Sequence, residues 1–257
     1  MMCEIMKYTY KKNYDTSYSF IDRSGRLGLV ELMNLNQDMI TEFFGSIGSD
    51  NAILRAKNNA AWIYTRTKVK MNELPFWNTK TKAVTFVSSL SPIRLEVETD
   101  LFDETDKLLF AAKTEMCAID FVERKVRKID TLEFPKDMEV SSSNITEPFA
   151  KMRTEFEAGD LIYSQKVYAS DTDFTNHTNN ARYVKFLMNI FDSAFYEEKS
   201  ITDFDIQFAK ESKEGDTLNI FKKESRDHEF SFSIKNGEEV VVKAVLIYND
   251  VSRVWGK

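Results

Sequence analysis

One order of elements occurs twice in this chain, and it limits the fold more than any other feature of the sequence. Tyr8, Thr9 and Tyr10 carry strand-favouring side chains. Beyond them Leu32, Leu35, Met39, Ile40, Phe43 and Ile47 recur at helical spacing, with polar Asn36 interrupting the stripe. Four strand-like runs follow, near Trp62 to Lys70, Thr81 to Leu90, Ile93 to Phe102 and Lys107 to Phe121, set apart by Pro75, Asn78 and Pro92. The second half begins again with a Tyr- and Val-rich run from Leu161 to Ser170. A polar loop leads into one helix on which Tyr183, Phe186, Leu187, Ile190, Phe191 and Ala194 fall three and four apart. Four more strand candidates close the chain. In the clearest, Phe204, Ile206 and Phe208 alternate with Asp205 and Gln207, and Phe230, Phe232 and Ile234 with Ser231 and Ser233.

A unit of one helix and about five strands, present twice, predicts a tandem duplication of class α+β. Each unit is then a curved antiparallel sheet wrapped around one long helix, the arrangement called a hotdog. The expected boundaries are an N-terminal unit over 1–130, a connector over 131–160 and a C-terminal unit over 161–257. The connector holds Pro135, the polar run Ser141 to Asn144, and Pro148, without periodicity.

Composition excludes several classes of function. With 42% hydrophobic and 30% charged residues the chain has apolar material for a core and is not a disordered protein. A formal net charge of −6 gives no general attraction to a phosphate backbone, so no nucleic acid partner is expected. Two cysteines, Cys3 and Cys117, are too few for a disulfide framework or a four-cysteine metal site. No signal or transit segment is read at the N-terminus. The longest apolar passage, Val240 to Tyr248, is interrupted by Lys243 and far shorter than the ~20 residues of a membrane-spanning helix. No GxGxxG or Walker pattern occurs. A cytoplasmic location and no membrane association follow as expectations.

Only His177 and His228 can supply imidazole. His228 stands at a hairpin turn after Arg226 and Asp227, where a solvated ring is expected. His177 lies in the run Asp171 to Asn180 immediately before the second helix, among carboxylates, amides and hydroxyls. Two readings use this same placement. In one, Thr178 or Asn179 caps the helix and the aspartates complement its dipole. In the other, free N–H groups at the helix start polarise a carbonyl oxygen while a carboxylate directs water at the carbonyl carbon. The excess of polar groups over the single cap that a helix needs favours the second. The corresponding segment of the first half, Ser24 to Gly28, has no histidine and no carboxylate cluster, so one active site per chain is expected.

The string Asp173, Phe174, Thr175, Asn176, His177, Thr178, Asn179, Asn180, Ala181, Arg182, Tyr183 resembles the signature of acyl-ACP thioesterases, in which Asp-x-Asn-x-His is followed by x-Asn-Asn-x-x-Tyr at the start of a hotdog helix. Trp62, Arg66, Pro75, Trp77, Thr85 and Arg94 stand where that family has its Trp-x-x-x-Arg, Tyr-Pro-x-Trp and Thr-Trp strands. Asp120 with Arg124 resembles the family's Asp-x-x-Thr-Arg turn, and Lys210, Glu211, Ser212 its Arg-Glu-Cys.

What the resemblance implies is hydrolysis of a thioester between a fatty acyl chain and the pantetheine arm of acyl carrier protein. The same fold acting on acyl-CoA, and a non-catalytic acyl-binding protein, are the alternatives. The implied catalytic set is Asp173, His177 and Glu211. Thr175 stands where the family has Asn, and either Thr175 or the adjacent Asn176 takes its place. Asn179 and Asn180 are the expected substrate-binding residues, and no metal or other cofactor is implied. Strict alternation from Phe204 puts Glu211 on the face of Asp205 and Gln207, away from the apolar side, unless a bulge intervenes. The N-terminal unit is expected to form the acyl pocket. Asn34 and Asn36 either meet that pocket or, as is more usual, are exposed. The clusters Arg124, Lys125, Arg127, Lys128 and Lys222, Lys223, Arg226 are either docking surfaces for an acidic carrier or ordinary strand ends. Pairing of hotdog units within one chain allows a monomer as well as a homodimer.

Overall fold

A computed structural model describes residues 7–152 and 155–251 of the 257. Cys3 lies outside the described residues. The first half runs β1 (Thr9–Asp15), α1 (Leu29–Ser46), α2 (Asn51–Asn58), β2 (Ala60–Met71), β3 (Lys80–Leu90), β4 (Leu95–Asp103), β5 (Leu108–Asp120) and the short β6 (Val126–Arg127). The second runs β7 (Leu161–Lys166), α3 (Asn180–Met188), α4 (Ser193–Glu198), β8 (Lys199–Phe208), β9 (Thr217–Arg226), β10 (Glu229–Asn236) and β11 (Glu239–Asp250). The fold is α+β and of hotdog type. All the strand pairs with a resolved register are antiparallel.

Contacts gather the chain into two compact units that are not contiguous in sequence. One comprises the chain up to Asp15, Leu35–Thr67 and Thr79–Glu147; the other comprises Thr16–Asn34, Lys68–Asn78 and the chain from Pro148 onward. In the first half the strand order is β1-β3-β4-β5-β2, with β6 beside β5. Ile40, Phe43 and Phe44 of α1 pack on Trp62, Val87, Leu95, Val97, Met116 and Ala118 from four strands, and Leu132 and Phe134 close the same core. Burying side chains of this size stabilises by about 1.5–3 kcal/mol each, which is why the apolar stripe of α1 is long. Trp62 satisfies its indole by donating to the Ser49 carbonyl at 2.8 Å.

Asn36, for which either a place at the pocket or exposure is expected, is 1% exposed. Its Nδ2 donates to Thr114 Oγ1 at 3.0 Å, and Thr114 Oγ1 lies 3.1 Å from Thr67 Oγ1. Interior hydroxyls of β2 and β5 therefore receive this break in the stripe. On the other face of β4, Glu98 and Asp100 are buried under the segment Ser143 to Ile145. The Asn144 N–H donates to Glu98 Oε1 at 2.6 Å, Asn144 Nδ2 to Asp100 Oδ2 at 2.7 Å, and Lys113 Nζ to the Ile145 carbonyl at 2.7 Å.

In the second half β8-β11-β10-β9-β7 form the sheet order. The helix here is shorter than the periodicity predicts: α3 ends at Met188, and α4 is a separate short helix. Asn189 takes the C-cap of α3, and Asp192 starts α4 by accepting the Phe195 N–H at 3.0 Å. Ile190 and Phe191 thus sit between helices, with Phe191 stacked on Phe195 at 3.9 Å between ring centroids. The structure also contains α2, absent from the sequence reading, which Asp50 caps through the Ile53 N–H at 2.9 Å.

Candidate active site

Between β7 and α3 the chain closes a small loop on itself. Thr172 and Thr178 form an isolated antiparallel bridge. Inside it the Asp173 N–H donates to the His177 carbonyl at 2.9 Å, and the Asn176 N–H to the Asp173 carbonyl at 3.0 Å. Asn176 has φ 63°, a left-handed conformation that Asn tolerates better than most residues. The reversal places Asp173, Thr175 and His177 in mutual contact. Asp173 Oδ1 accepts from both the Thr175 N–H at 2.8 Å and the Thr175 hydroxyl at 2.6 Å. Thr175 Oγ1 lies 3.1 Å from His177 Nδ1.

Proton accounting orients the imidazole. A threonine hydroxyl has one hydrogen, and Thr175 gives it to the Asp173 carboxylate. Its oxygen can then only accept from His177, which puts a ring hydrogen on Nδ1. Nε2 faces Glu211 Oε2 at 3.3 Å. The side chains of His177 and Glu211 remain 36% and 41% exposed, so a substrate can reach both.

Glu211 is not on a strand. β8 ends at Phe208, and the Ala209 and Lys210 N–H groups both reach the Val241 carbonyl, at 2.8 and 3.2 Å. The alternation that put Glu211 on the polar face therefore does not extend to it. The next residue, Ser212, is buried and accepts the Thr178 N–H on its carbonyl at 2.8 Å.

At the start of α3, Asn179 is the N-cap, and its Oδ1 accepts the Ala181 N–H at 2.9 Å. The N–H groups of Thr178, Asn179 and Arg182 are also engaged, on the carbonyls of Ser212, Asp171 and Asn179. The Asn180 N–H is the one in this turn without a partner among the described residues. Capping and a free donor thus occur together in adjacent asparagines.

The first half carries the same loop. Ile21 and Leu27 form its bridge, the Asp22 N–H donates to the Arg26 carbonyl at 2.9 Å, the Gly25 N–H to the Asp22 carbonyl at 3.0 Å, and the Ser24 N–H to Asp22 Oδ1 at 2.7 Å. Gly25, with φ 74°, takes the place of Asn176, and a Cβ there would lie 2.8 Å from the Phe76 ring. Arg26 takes the place of His177 and donates to the Leu74 carbonyl at 2.7 Å. The Leu27 N–H bonds to the Pro75 carbonyl at 2.9 Å as that of Thr178 bonds to Ser212, so Leu74 takes the place of Glu211. Histidine does not carry this kinship between the halves; the shared signal is Asp, a hydroxyl residue two positions on, then a residue that tolerates positive φ.

Other candidates carry less. His228 turns the β9–β10 hairpin at φ 59°. Cys117 is a buried free thiol whose pKa burial raises. Both basic clusters contain residues paired with neighbouring carboxylates: Arg127 with Asp120 at 3.2 Å, Lys125 with Glu123 at 3.0 Å, Lys223 with Asp160 at 3.7 Å and Arg226 with Glu229 at 2.6 Å. Among the described residues no group of three His, Cys, Asp or Glu side chains is placed to hold a metal ion, and no helix is long and apolar enough to cross a membrane.

The chain belongs to the acyl-ACP thioesterase family: residues 7–134 match the acyl-ACP thioesterase N-terminal domain and residues 155–250 its C-terminal domain. Its activity is the hydrolysis of fatty acyl-ACP thioesters. Among solved structures, an acyl-ACP thioesterase from Bacteroides thetaiotaomicron superposes with a TM-score of 0.82 over 94% of this chain and 98% of its own, at 22% identity. A 12:0-ACP thioesterase from Umbellularia californica does so with a TM-score of 0.81 over 97% and 100%, at 15% identity. At those identities the likeness speaks for the fold. No curated protein matches the chain in sequence at a significant level.

Proposed function

We propose that hydrolysis proceeds by attack of a water oriented by His177 and Glu211, with Asp173 and Thr175 fixing the imidazole. The observation that carries this reading is the 3.3 Å approach of His177 Nε2 to Glu211 Oε2, combined with the tie of Nδ1 to Thr175. With the ring hydrogen on Nδ1, Nε2 of a neutral imidazole and the Glu211 carboxylate are both acceptors, so a water beside the pair can donate to either and turn a lone pair outward. The water oxygen bonds to the thioester carbonyl carbon as one hydrogen passes to this acid–base pair. Collapse of the tetrahedral intermediate breaks the C–S bond, and the proton goes to the departing pantetheine sulfur. The products are free fatty acid and the carrier's thiol.

The Asn180 N–H at the positive end of α3 is the donor for the carbonyl oxygen, while Asn179 holds the helix start in place. Asn176 contributes the loop's left-handed residue. The N-terminal unit over 1–130 houses the acyl chain, the C-terminal unit over 161–257 the chemistry, and the enzyme works in a reducing cytoplasm in keeping with its buried free thiol.

The test is thiol release from acyl-ACP by the wild type, Asp173→Asn, His177→Ala and Glu211→Gln, each checked for folding. General acid–base groups typically contribute about 10²–10⁴-fold, so each folded variant should lose kcat on that scale. A folded His177→Ala variant with wild-type kcat would discard the reading. The same assay on acyl-CoA reports how much of the rate depends on the carrier protein.

A further inference from the structure

Neither His177 nor Glu211 is held by burial of its own side chain, yet their 3.3 Å geometry needs a cause. It is found one residue further along each segment. Thr178 and Ser212, 34 positions apart in sequence, bond hydroxyl to hydroxyl at 2.7 Å, and the Thr178 N–H donates to the Ser212 carbonyl at 2.8 Å. From the second turn of α3, Tyr183 reaches the same serine. Its phenol lies 2.8 Å from Ser212 Oγ and accepts the Ser212 N–H at 3.1 Å. Thr178, Tyr183 and Ser212 are 5%, 2% and 2% exposed.

Ser212 is therefore gripped at its N–H, its carbonyl and its hydroxyl, all by residues of the loop and helix that carry His177. Glu211 lies between this anchor and the Val241 carbonyl that holds Ala209 and Lys210. Because the phenol oxygen accepts the Ser212 N–H, its own hydrogen is available to Ser212 Oγ, and the serine hydrogen in turn to Thr178. A buried network satisfied in this way is rigid, since a broken member leaves others unpaired in a low-dielectric interior. It also removes Ser212 from the candidates for a nucleophile, since its hydroxyl is enclosed and doubly engaged.

We infer that Tyr183 is a positioning residue for hydrolysis, acting through Ser212 to hold the Glu211 carboxylate against His177. This rests on the assignment of Glu211 and His177 to the reaction. Tyr183 touches neither substrate nor the reacting atoms; its contribution is geometric, and a displacement of about 1 Å can cost about 10²-fold in rate.

The test is a double-mutant cycle on the full chain with acyl-ACP as substrate. Tyr183→Phe removes one oxygen and should lower kcat at least tenfold with KM within twofold. In the Glu211→Gln background the same change should lower kcat less than threefold, because the group it positions is already gone. If the two losses multiply, Tyr183 supports the fold in general and the proposal falls. A Tyr183→Phe enzyme with wild-type kcat overturns it as well, while an impaired Glu211→Gln leaves the acid–base reading standing. If Glu211→Gln alone keeps full activity, that underlying reading fails and this inference with it. Should Tyr183→Phe not fold, Ser212→Ala opens the network from the other side and is held to the same two criteria.

Discussion

Arg26 occupies, in the loop that opens α1, the position that His177 occupies in the loop that opens α3. The two loops share their bridge, their reversal and their Asp-to-backbone hydrogen bond, but the guanidinium donates to the Leu74 carbonyl and lies 3.7 Å from the Glu73 carboxylate, whereas His177 faces Glu211. A guanidinium does not lose its proton in proteins, so it cannot replace imidazole as a base.

One site per chain follows. Arg26→Ala should leave kcat within twofold of wild type and lower the melting temperature through the lost bond to Leu74, whereas His177→Ala should abolish most turnover. Titration of active sites with a tight non-hydrolysable acyl-ACP analogue should give one per chain. Two functional sites, or an Arg26→Ala variant as inactive as His177→Ala, would refute the division between the loops.

Thr175 stands where the family signature has Asn, and its geometry predicts what other residues will serve. The position must give a hydrogen to Asp173 and accept one from His177 Nδ1. An asparagine amide can do both and a valine neither. Thr175→Asn should keep kcat within about fivefold and Thr175→Val should lose about 10²-fold, in line with the lower end for a misoriented acid–base group. Equal activity in the two variants would show that the imidazole is oriented by something else.

Asn176 supplies the complementary case. Its φ of 63° suits glycine, the residue found at the matching position of the first loop. Asn176→Gly should retain both fold and kcat, and Asn176→Ala should be less stable by roughly 1 kcal/mol, the scale of left-handed strain at a non-glycine residue. Chemical denaturation beside a rate assay checks both. Loss of turnover in a stable Asn176→Gly variant would move the side chain of Asn176 into the chemistry.

The duplicated element order was legible because apolar periodicity follows burial: most of the α1 stripe, Phe204 and Ile206 of β8 and Phe232 and Ile234 of β10 are buried, although Asp205, Ser231 and Ser233 between them are buried as well. The break between α3 and α4 was not, since Ile190 and Phe191 continue the helical spacing while the caps at Asn189 and Asp192 interrupt the backbone. Helix α2 is too short for periodicity to register. At the site, the run from Asp173 to Asn180 declared itself by its density of polar groups. What could not be read was which side chain meets which, because the left-handed turn at Asn176 decides that Thr175 contacts His177. The clamp of Thr178, Tyr183 and Ser212 joins segments far apart in sequence, and single-residue reading gives such hydroxyls no prominence.

Glu98 and Asp100 make stability depend on pH in a way opposite to most carboxylates. Burial, and then the neighbouring charge of Glu98, push Asp100 from an ordinary value of 3.8 up to about 8, and burial also raises Glu98 despite its hydrogen bonds from Ser143 and Asn144 and the charge of Lys113. A carboxyl that holds its proton more tightly folded than unfolded gives a folded state with more bound protons between the two pKa values, so stability falls as pH rises through that window. The cost is absent below about pH 4, grows toward pH 8 and is complete above it. Asp100→Asn keeps an acceptor for Asn144 Nδ2 and removes the titration, so its denaturation midpoint should decline less than that of the wild type from pH 6 to pH 9. Because Ser143 to Ile145 lie over this pair, amide exchange at Asn144 should accelerate over the same range in the wild type and less in the variant. Parallel stability curves for the two proteins would mean that Asp100 does not hold a proton in the folded state.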